Sequence, residues 1–187
     1  AVRFKGDLPE VLTSGIGAGK KHNSKRENSI PMVNDIYCIN PDTFRRWMKV
    51  GSLIKGENLS ILDVGGDPKN DKIKLFIPHK ITVVNPQYNN ISGTSLPFAD
   101  ESFDITMSID TLEHVPSSER IKFVRELIRT AKSKVILACP FDEPYVSEME
   151  KAIYAITKHP ILEEHIRYGL PNLQQILSLI ETMGLSY

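Results

Sequence analysis

Apolar runs of strand length recur along the chain and are separated by polar, turn-forming segments. In each run, β-branched and other apolar residues outnumber polar ones, which is typical of strands buried in a sheet. The runs predict strands at residues 60–64, 81–84, 103–109 and 134–139, a brief strand near 91–92, and the start of a further strand at 185–187.

Apolar residues at helical spacing occupy most of the segments between these strands. The alternation of strands and helices favours an α/β fold with a doubly wound, mainly parallel sheet. Only residues 86–90 separate the second strand from the brief third one, so the usual crossover helix must be absent or reduced there. Four helices are predicted: the first begins at the capping residue Asn40 and the second after Pro116. The third runs from residue 146 to 157, and the fourth from Pro171 to near Gly184. A non-helical segment at 163–171 is expected between the third and the fourth.

Residues 1–30 differ in composition from the rest of the chain. Glycines alternate at positions 15, 17 and 19, before Lys20 and Lys21. A phosphate-binding loop instead needs four residues between its glycines and a Ser or Thr after its lysine. Composition therefore favours a flexible, solvated N-terminal arm over 1–30, which could fold over a ligand as a lid, and one folded domain over 31–187.

Composition and charge narrow the class of protein. Of the 187 residues, 41% are hydrophobic and 25% are charged, as in ordinary globular domains, and the formal net charge is zero. A neutral chain has no bulk attraction to nucleic acid or to an anionic membrane, and no apolar run approaches the ~20 residues of a membrane span. The two cysteines, Cys38 and Cys139, lie far apart, which favours free thiols in a reducing compartment and a cytoplasmic location.

Small and polar residues follow directly after three of the predicted strands. Gly65 and Gly66 follow the first strand, Asn85 follows the second, and Asp110 follows the strand at 103–109. In an open α/β sheet, ligands bind at the carboxyl ends of the strands. The sequence therefore predicts a binding crevice at this edge of the sheet.

Two motifs lie at the ends of the strand predicted at 103–109: LPFADESFD at 96–104 and DTLEHV at 110–115. Together they resemble the central block of class I S-adenosylmethionine-dependent methyltransferases, in particular the type 11 group. The resemblance extends over about residues 60–187. It implies that residues 31–187 form a methyltransferase-like domain, with a Rossmann-like sheet that lacks the last one or two strands.

The same resemblance implies a set of residues that bind S-adenosylmethionine. Asp67, Asn85 and Thr94 depart from the residue types usual in the family, although an asparagine amide can still donate to and accept from a ribose hydroxyl. The implied cofactor-binding residues are Asp63, Gly65 and Gly66 in the first motif, Asn85 at the ribose, Thr94, Ser95 and Leu96 at the adenine, and Asp110 and Thr111 at the methionine end.

The implied activity is transfer of a methyl group to an unidentified oxygen or nitrogen nucleophile, on a small molecule or a glycan. Asp110 or His114 could assist deprotonation of that nucleophile. His165 and Tyr168, in the stretch EHIRYGLP, are candidates for contact with the substrate. For Glu113, His114, His165 and Tyr168, a role in bracing the loops stays open, and no metal-ligand spacing is present.

Two other functions stay open. The departures at Asp67, Asn85 and Thr94 motivate a methyltransferase-fold binding or scaffold domain whose cofactor site is degraded and which does no catalysis. A different dinucleotide-binding Rossmann protein is the third hypothesis, and the absence of a full G-x-G-x-x-G motif disfavours it.

Overall fold

A computed structural model describes residues 39–187 together with the backbone of residues 2–3. Its strands are β1 (Val2–Arg3), β2 (Ser60–Val64), β3 (Lys80–Val84), β4 (Phe103–Ile109) and β5 (Ala131–Ala138). They form one sheet in the order β1-β5-β4-β2-β3, in which β2 to β5 run parallel and β1 pairs antiparallel with β5. This confirms the predicted doubly wound, mainly parallel α/β sheet.

Helices cover both faces of the sheet. The first of them begins as predicted, with the side chain of Asn40 accepting a hydrogen bond of 2.9 Å from the backbone N–H of Asp42. The helices are α1 (Pro41–Leu53), α2 (Pro86–Asn89), α3 (Arg120–Thr130), α4 (Pro144–Thr157), α5 (Pro160–Tyr168) and α6 (Leu173–Thr182), and short 3₁₀ turns lie at Asp71–Leu75, Leu112–His114 and Ser117–Glu119.

The apolar core lies on both faces of the sheet because side chains alternate along each strand. Leu62 of β2 belongs to the cluster that includes Phe123 of α3 and Ile180 of α6, whereas its neighbour Ile61 belongs to the cluster that includes Val50 of α1. Each fully buried side chain of this size contributes roughly 1.5 to 3 kcal/mol. The core thereby fixes the carboxyl ends of the strands, where the polar residues lie.

The structure differs from the sequence-based prediction in three segments. Residues 91–92 form no strand, because the N–H of Ser95 donates to the carbonyl of Ser92 at 3.1 Å and closes a turn. Residues 185–187 form no strand either, and the outer edge of β5 pairs with β1 instead. The expected interruption at 163–171 is mostly helical, since α5 continues to Tyr168. Helix α2 is a single turn, as the short spacing at 86–90 predicts, and the connection between β2 and its neighbour β3 carries only a 3₁₀ turn.

Several expectations concern residues that the structure does not describe. Cys38 and the arm at 1–30, apart from Val2 and Arg3, lie outside the described residues. Within the described part of the chain, no helix is long and apolar enough to cross a membrane.

Candidate functional site

A cleft of about 660 Å³ opens at the carboxyl edge of the sheet. Its walls come from the segments after three neighbouring strands and from the start of α5. A smaller hollow of about 350 Å³ lies beside it, under α1, and the two share Gly65 and Asp110. The parallel strands bring these segments together because all of them end at the same edge. The lining of the cleft includes Gly65, Asn85, Ser92, Gly93, Thr94, Asp110, Thr111, His114, Pro160, Ile161 and Glu164, and that of the hollow includes Thr43, Trp47, Asp63, Gly65, Gly66 and Asp110.

The turn after β2 is held in place by Asn85. Gly65 has φ = +97°, and a β-carbon there would overlap the side chain of Thr111. The Asn85 amide donates to the carbonyl oxygens of Gly65 at 2.9 Å and Gly66 at 3.1 Å, and its Oδ1 accepts from the N–H of Gln87 at 2.9 Å. Asn85 therefore braces the glycine turn and keeps one acceptor position on Oδ1 for a ligand.

Asp63 is a buried carboxyl group that forms no ion pair with the residues that the structure describes. Only 4% of the residue is exposed, and its Oδ1 has no hydrogen-bond partner among the described residues. Burial raises the pKa of Asp63 to about 7. The nearby Asp67 is different, because its Oδ1 accepts from the N–H of Lys69 at 2.8 Å and so stabilises its own turn. Of these two carboxyl groups, Asp63 is the one available to a bound cation.

Asp110 lies where the cleft and the hollow meet. Its backbone has φ = +51°, which is uncommon for a residue other than glycine and is often found at functional positions. Arg46 Nε of α1 lies 3.0 Å from Asp110 Oδ2, while Oδ1 is buried and has no hydrogen-bond partner among the described residues. Burial raises the pKa of Asp110, and the Arg46 guanidinium opposes that shift. One oxygen of this carboxyl group thus remains for a ligand.

Two histidines and three glutamates meet below the cleft. His114 Nδ1 lies 2.7 Å from Glu164 Oε2, and His165 Nδ1 lies 3.0 Å from Glu150 Oε1. The two imidazole rings are 5.0 Å apart between centroids. Glu113, next to His114, is buried with 2% of its surface exposed, and burial raises its pKa to about 7.

Arg120 holds this cluster together from behind. Its Nε donates to the carbonyl oxygens of Leu112 at 3.2 Å and Val115 at 3.0 Å. Its Nη2 donates to the carbonyls of Tyr168 and Gly169 at the end of α5. The planar guanidinium therefore fixes α5 against the 3₁₀ turn at Leu112–His114, which places His114 and His165 side by side.

Comparison with known proteins finds a family that is similar to the segment forming this edge of the sheet. Residues 64–139, from the end of β2 to the residue after β5, match the methyltransferase domain family of type 11. This segment is less than half of the chain, and over it the chain is similar to that family. A comparison with the curated proteins finds no significant match.

Solved structures of other proteins share the fold of this chain over about three quarters of its length. A candidate methyltransferase from Bacillus halodurans is 21% identical, with 75% of this chain and 64% of that chain covered and a TM-score of 0.50. A candidate sarcosine dimethylglycine methyltransferase from Galdieria sulphuraria is 17% identical, covers 78% and 61%, and has a TM-score of 0.53. Phosphoethanolamine N-methyltransferase 2 from Haemonchus contortus, in complex with phosphomonomethylethanolamine and S-adenosylhomocysteine, is 17% identical, covers 75% and 36%, and has a TM-score of 0.52. The chain thus spans less than two thirds of each of these proteins.

The carboxyl edge of the sheet brings together most of the residues expected to bind the cofactor. Two of them lie elsewhere: Ser95 is exposed, and Leu96 is buried with its N–H donating to Glu126 at 2.8 Å, so neither lines the cleft. Gly65, Asn85, Thr94, Asp110, Thr111 and His114 line the cleft, and Asp63 and Gly66 line the adjoining hollow.

The candidates for substrate contact lie behind the cleft. His165 is buried next to His114, and Tyr168 ends α5, with the Arg167 guanidinium 5.6 Å from its ring centroid; neither residue lines the cleft. Four residues that sequence reasoning did not select complete the site: Arg46, Arg120, Glu150 and Glu164. No motif marks them, because each acts on a residue that is distant in the sequence or on a backbone carbonyl.

Proposed function

We propose that the protein is an S-adenosylmethionine-dependent methyltransferase that acts on an oxygen or nitrogen nucleophile of a small molecule or a glycan. One observation carries this proposal: Gly65, Asn85, Thr94 and Asp110, which follow neighbouring strands, line one cleft within the family match. The solved structure of the Haemonchus contortus protein in complex with S-adenosylhomocysteine supports the same cofactor class.

The residues present fit the cofactor chemically. The buried Asp63 has an unpartnered oxygen beside the glycine turn, and its carboxylate would hold the ammonium group of the methionine part. Asn85 and Thr94 would meet the adenosine part through a carbonyl oxygen and a hydroxyl group. Asp67, which could repel the cofactor carboxylate, bonds to the N–H of Lys69 instead. The departures from the family pattern at these positions are therefore compatible with binding.

The proposed methyl transfer requires mainly that the nucleophile is aligned with the methyl group of the cofactor. When bound, S-adenosylmethionine supplies a methyl group made electrophilic by its sulfonium. Asp110 and His114 both line the cleft and would meet the acceptor there. Arg46 Nε lies 3.0 Å from one Asp110 oxygen, so Asp110 Oδ1 is the atom that would take up the proton of the nucleophile. His114, whose Nδ1 contacts Glu164, would help to orient the acceptor.

The second candidate function is a scaffold domain without catalysis, and the hydrogen bonds that Asn85 makes within the protein favour it. Its amide group is committed to the carbonyls of Gly65 and Gly66 and is not free to donate to a ribose. Cofactor binding separates the two functions, because a scaffold with a degraded site would not recognise S-adenosylhomocysteine.

Isothermal titration of the chain with S-adenosylmethionine and S-adenosylhomocysteine tests the proposal. We expect saturable binding of both, and we expect Gly65→Ala to weaken it by at least about tenfold, since the new methyl group displaces Thr111 from the cleft wall. Gly184→Ala is the matched control, because Gly184 also has a positive φ of 67° but a β-carbon there contacts nothing within 4 Å. A folded chain that releases no heat at about 1 mM of either ligand would contradict the methyltransferase proposal.

A further inference from the structure

We propose that Glu113, His114 and His165 form a binding site for a divalent transition-metal ion. One ligand atom from each of these residues lies within 4.8 Å of the others. A metal bound at 2.0 to 2.2 Å holds adjacent ligand atoms roughly 3 to 4 Å apart. The ligand atoms therefore need to approach one another by at most about 1 to 2 Å around an ion.

Both imidazoles are oriented as they are in metal sites. Glu164 contacts Nδ1 of His114, and Glu150 contacts Nδ1 of His165, at 2.7 Å and 3.0 Å. A histidine that ligates a metal usually donates its other ring N–H to a carboxylate, which fixes the tautomer and the ring orientation. Two such carboxylate–histidine pairs meet here, and both leave Nε2 as the nitrogen that can bind a metal.

Two buried polar atoms of this cluster also have no hydrogen-bond partner among the described residues. His165 is 7% exposed, and its Nε2 has no hydrogen-bond partner among the described residues. Glu113 is 2% exposed, and its Oε2 has none either. Buried polar atoms are nearly always paired, so two unpaired ligand-type atoms in one cluster indicate a missing third component. A cation satisfies both at once.

The ligand types indicate which ion binds. Two imidazoles and one carboxylate suit Zn²⁺, Co²⁺, Mn²⁺ or Fe²⁺, whereas Mg²⁺ and Ca²⁺ prefer sites made of oxygen atoms only. Three protein ligands leave coordination positions open. His114 lines the cleft, so an open position can face a molecule bound there. In a role that rests on the proposed function, the ion would hold a methyl acceptor through its hydroxyl oxygen and lower the pKa of that hydroxyl group.

Titration of the chelator-treated chain with Co²⁺ tests the site, because the visible absorption of Co²⁺ reports its ligands. We expect binding of one ion per chain with an absorption band that saturates, and displacement by Zn²⁺ in calorimetry. Glu113→Gln and His165→Gln should each weaken binding by at least about tenfold, and Glu150→Gln should weaken it about 10- to 100-fold by releasing His165. His79→Gln is the matched control, since His79 precedes β3 at the opposite edge of the sheet and should leave Co²⁺ affinity unchanged.

Circular dichroism checks that each variant folds, and His114→Gln, at a half-buried position, replaces any variant that does not. The proposal is overturned if wild-type chain shows no Co²⁺ band at about 1 mM metal. It is equally overturned if the ligand variants bind as tightly as His79→Gln, which would mean that Glu113 and His165 bond directly to each other.

The test separates this site from the methyltransferase proposal. The Co²⁺ titration contains no cofactor, and binding of S-adenosylhomocysteine is measured in the presence of a chelator. A chain that binds the nucleoside but no Co²⁺ rejects the metal site alone. A chain that binds Co²⁺ at Glu113 and His165 but no nucleoside supports the metal site and rejects the methyltransferase proposal.

Discussion

Replacement of Asp63 by asparagine should stabilise the protein at neutral and alkaline pH but not in acid. Asp63 is buried near the end of β2, with 4% of its surface exposed. Its Oδ1 has no hydrogen-bond partner among the described residues. Burial raises its pKa from 3.8 to about 7, because the charged form is disfavoured away from water. In the unfolded chain the same group keeps its ordinary pKa.

The sign of the effect follows from this difference. Because the pKa of Asp63 is higher in the folded protein, its contribution to stability is fully present below pH 3.8 and is lost as the pH rises through about 7. One pKa unit corresponds to about 1.4 kcal/mol, so the free energy of unfolding should fall by roughly 4 kcal/mol over this interval through Asp63 alone. An asparagine does not titrate, and the variant lacks this fall. The other charged groups of the hollow, Asp67, Asp71, Lys74 and Asp110, are the same in both proteins.

Urea unfolding followed by the fluorescence of Trp47, the only tryptophan of the chain, measures the effect between about pH 4 and about pH 8. The stability advantage of Asp63→Asn over wild type should grow by about 2 to 4 kcal/mol across this range. Asp71→Asn is the control, because Asp71 is exposed and its partner among the described residues is the exposed Lys74 at 2.6 Å, and it should run parallel to wild type. If Asp63→Asn also runs parallel to wild type, the carboxyl group is not buried in the way described.

Two further substitutions test how the site is held. Asn85→Asp removes the donor to the glycine turn and should lower the free energy of unfolding by about 1 to 3 kcal/mol in urea, whereas Asn40→Asp, at a helix cap that only accepts, should be neutral. Arg120→Lys cannot span five carbonyls with one ammonium group and should cost about 2 to 4 kcal/mol in thermal unfolding, whereas Arg125→Lys, exposed on the same helix, should cost almost nothing. Equal effects within either pair would contradict the assigned hydrogen bonds.

The sheet was largely predictable and one helix was not, for physical reasons. Strands β2 and β4 coincide with apolar runs because both faces of a central parallel strand are buried. Helix α5 carries no such signal: within it only His165 is buried, so no apolar stripe marks it. Its start has Pro160 at the first helical position but no Ser, Thr, Asp or Asn as cap, because the ring of His159 is the cap and accepts from the N–H of Ile161 at 3.4 Å.

The candidate site was predictable only where backbone topology decides it. Parallel strands end at one edge, so Gly65, Asn85 and Asp110 could be expected to meet. The side-chain pairs that complete the site depend on tertiary contacts instead. The helical pattern of α1 puts Arg46 on the side that faces water, yet it reaches Asp110, and the contact of His114 with Glu164 joins residues fifty positions apart. Such contacts leave no periodicity in the sequence.

The unpartnered buried atoms at this edge argue for bound ligands more strongly than any single motif does. Oδ1 of Asp63, Oδ1 of Asp110, Oε2 of Glu113 and Nε2 of His165 all lack hydrogen-bond partners among the described residues. Each such atom costs about 1 to 3 kcal/mol, and four together approach the 5 to 15 kcal/mol by which a domain is typically stable. A chain retains such a cost where binding supplies the partners. Because Asp63 lines the hollow under α1 and His114 of the histidine cluster lines the cleft, we expect a nucleoside and a metal ion to raise the melting temperature separately.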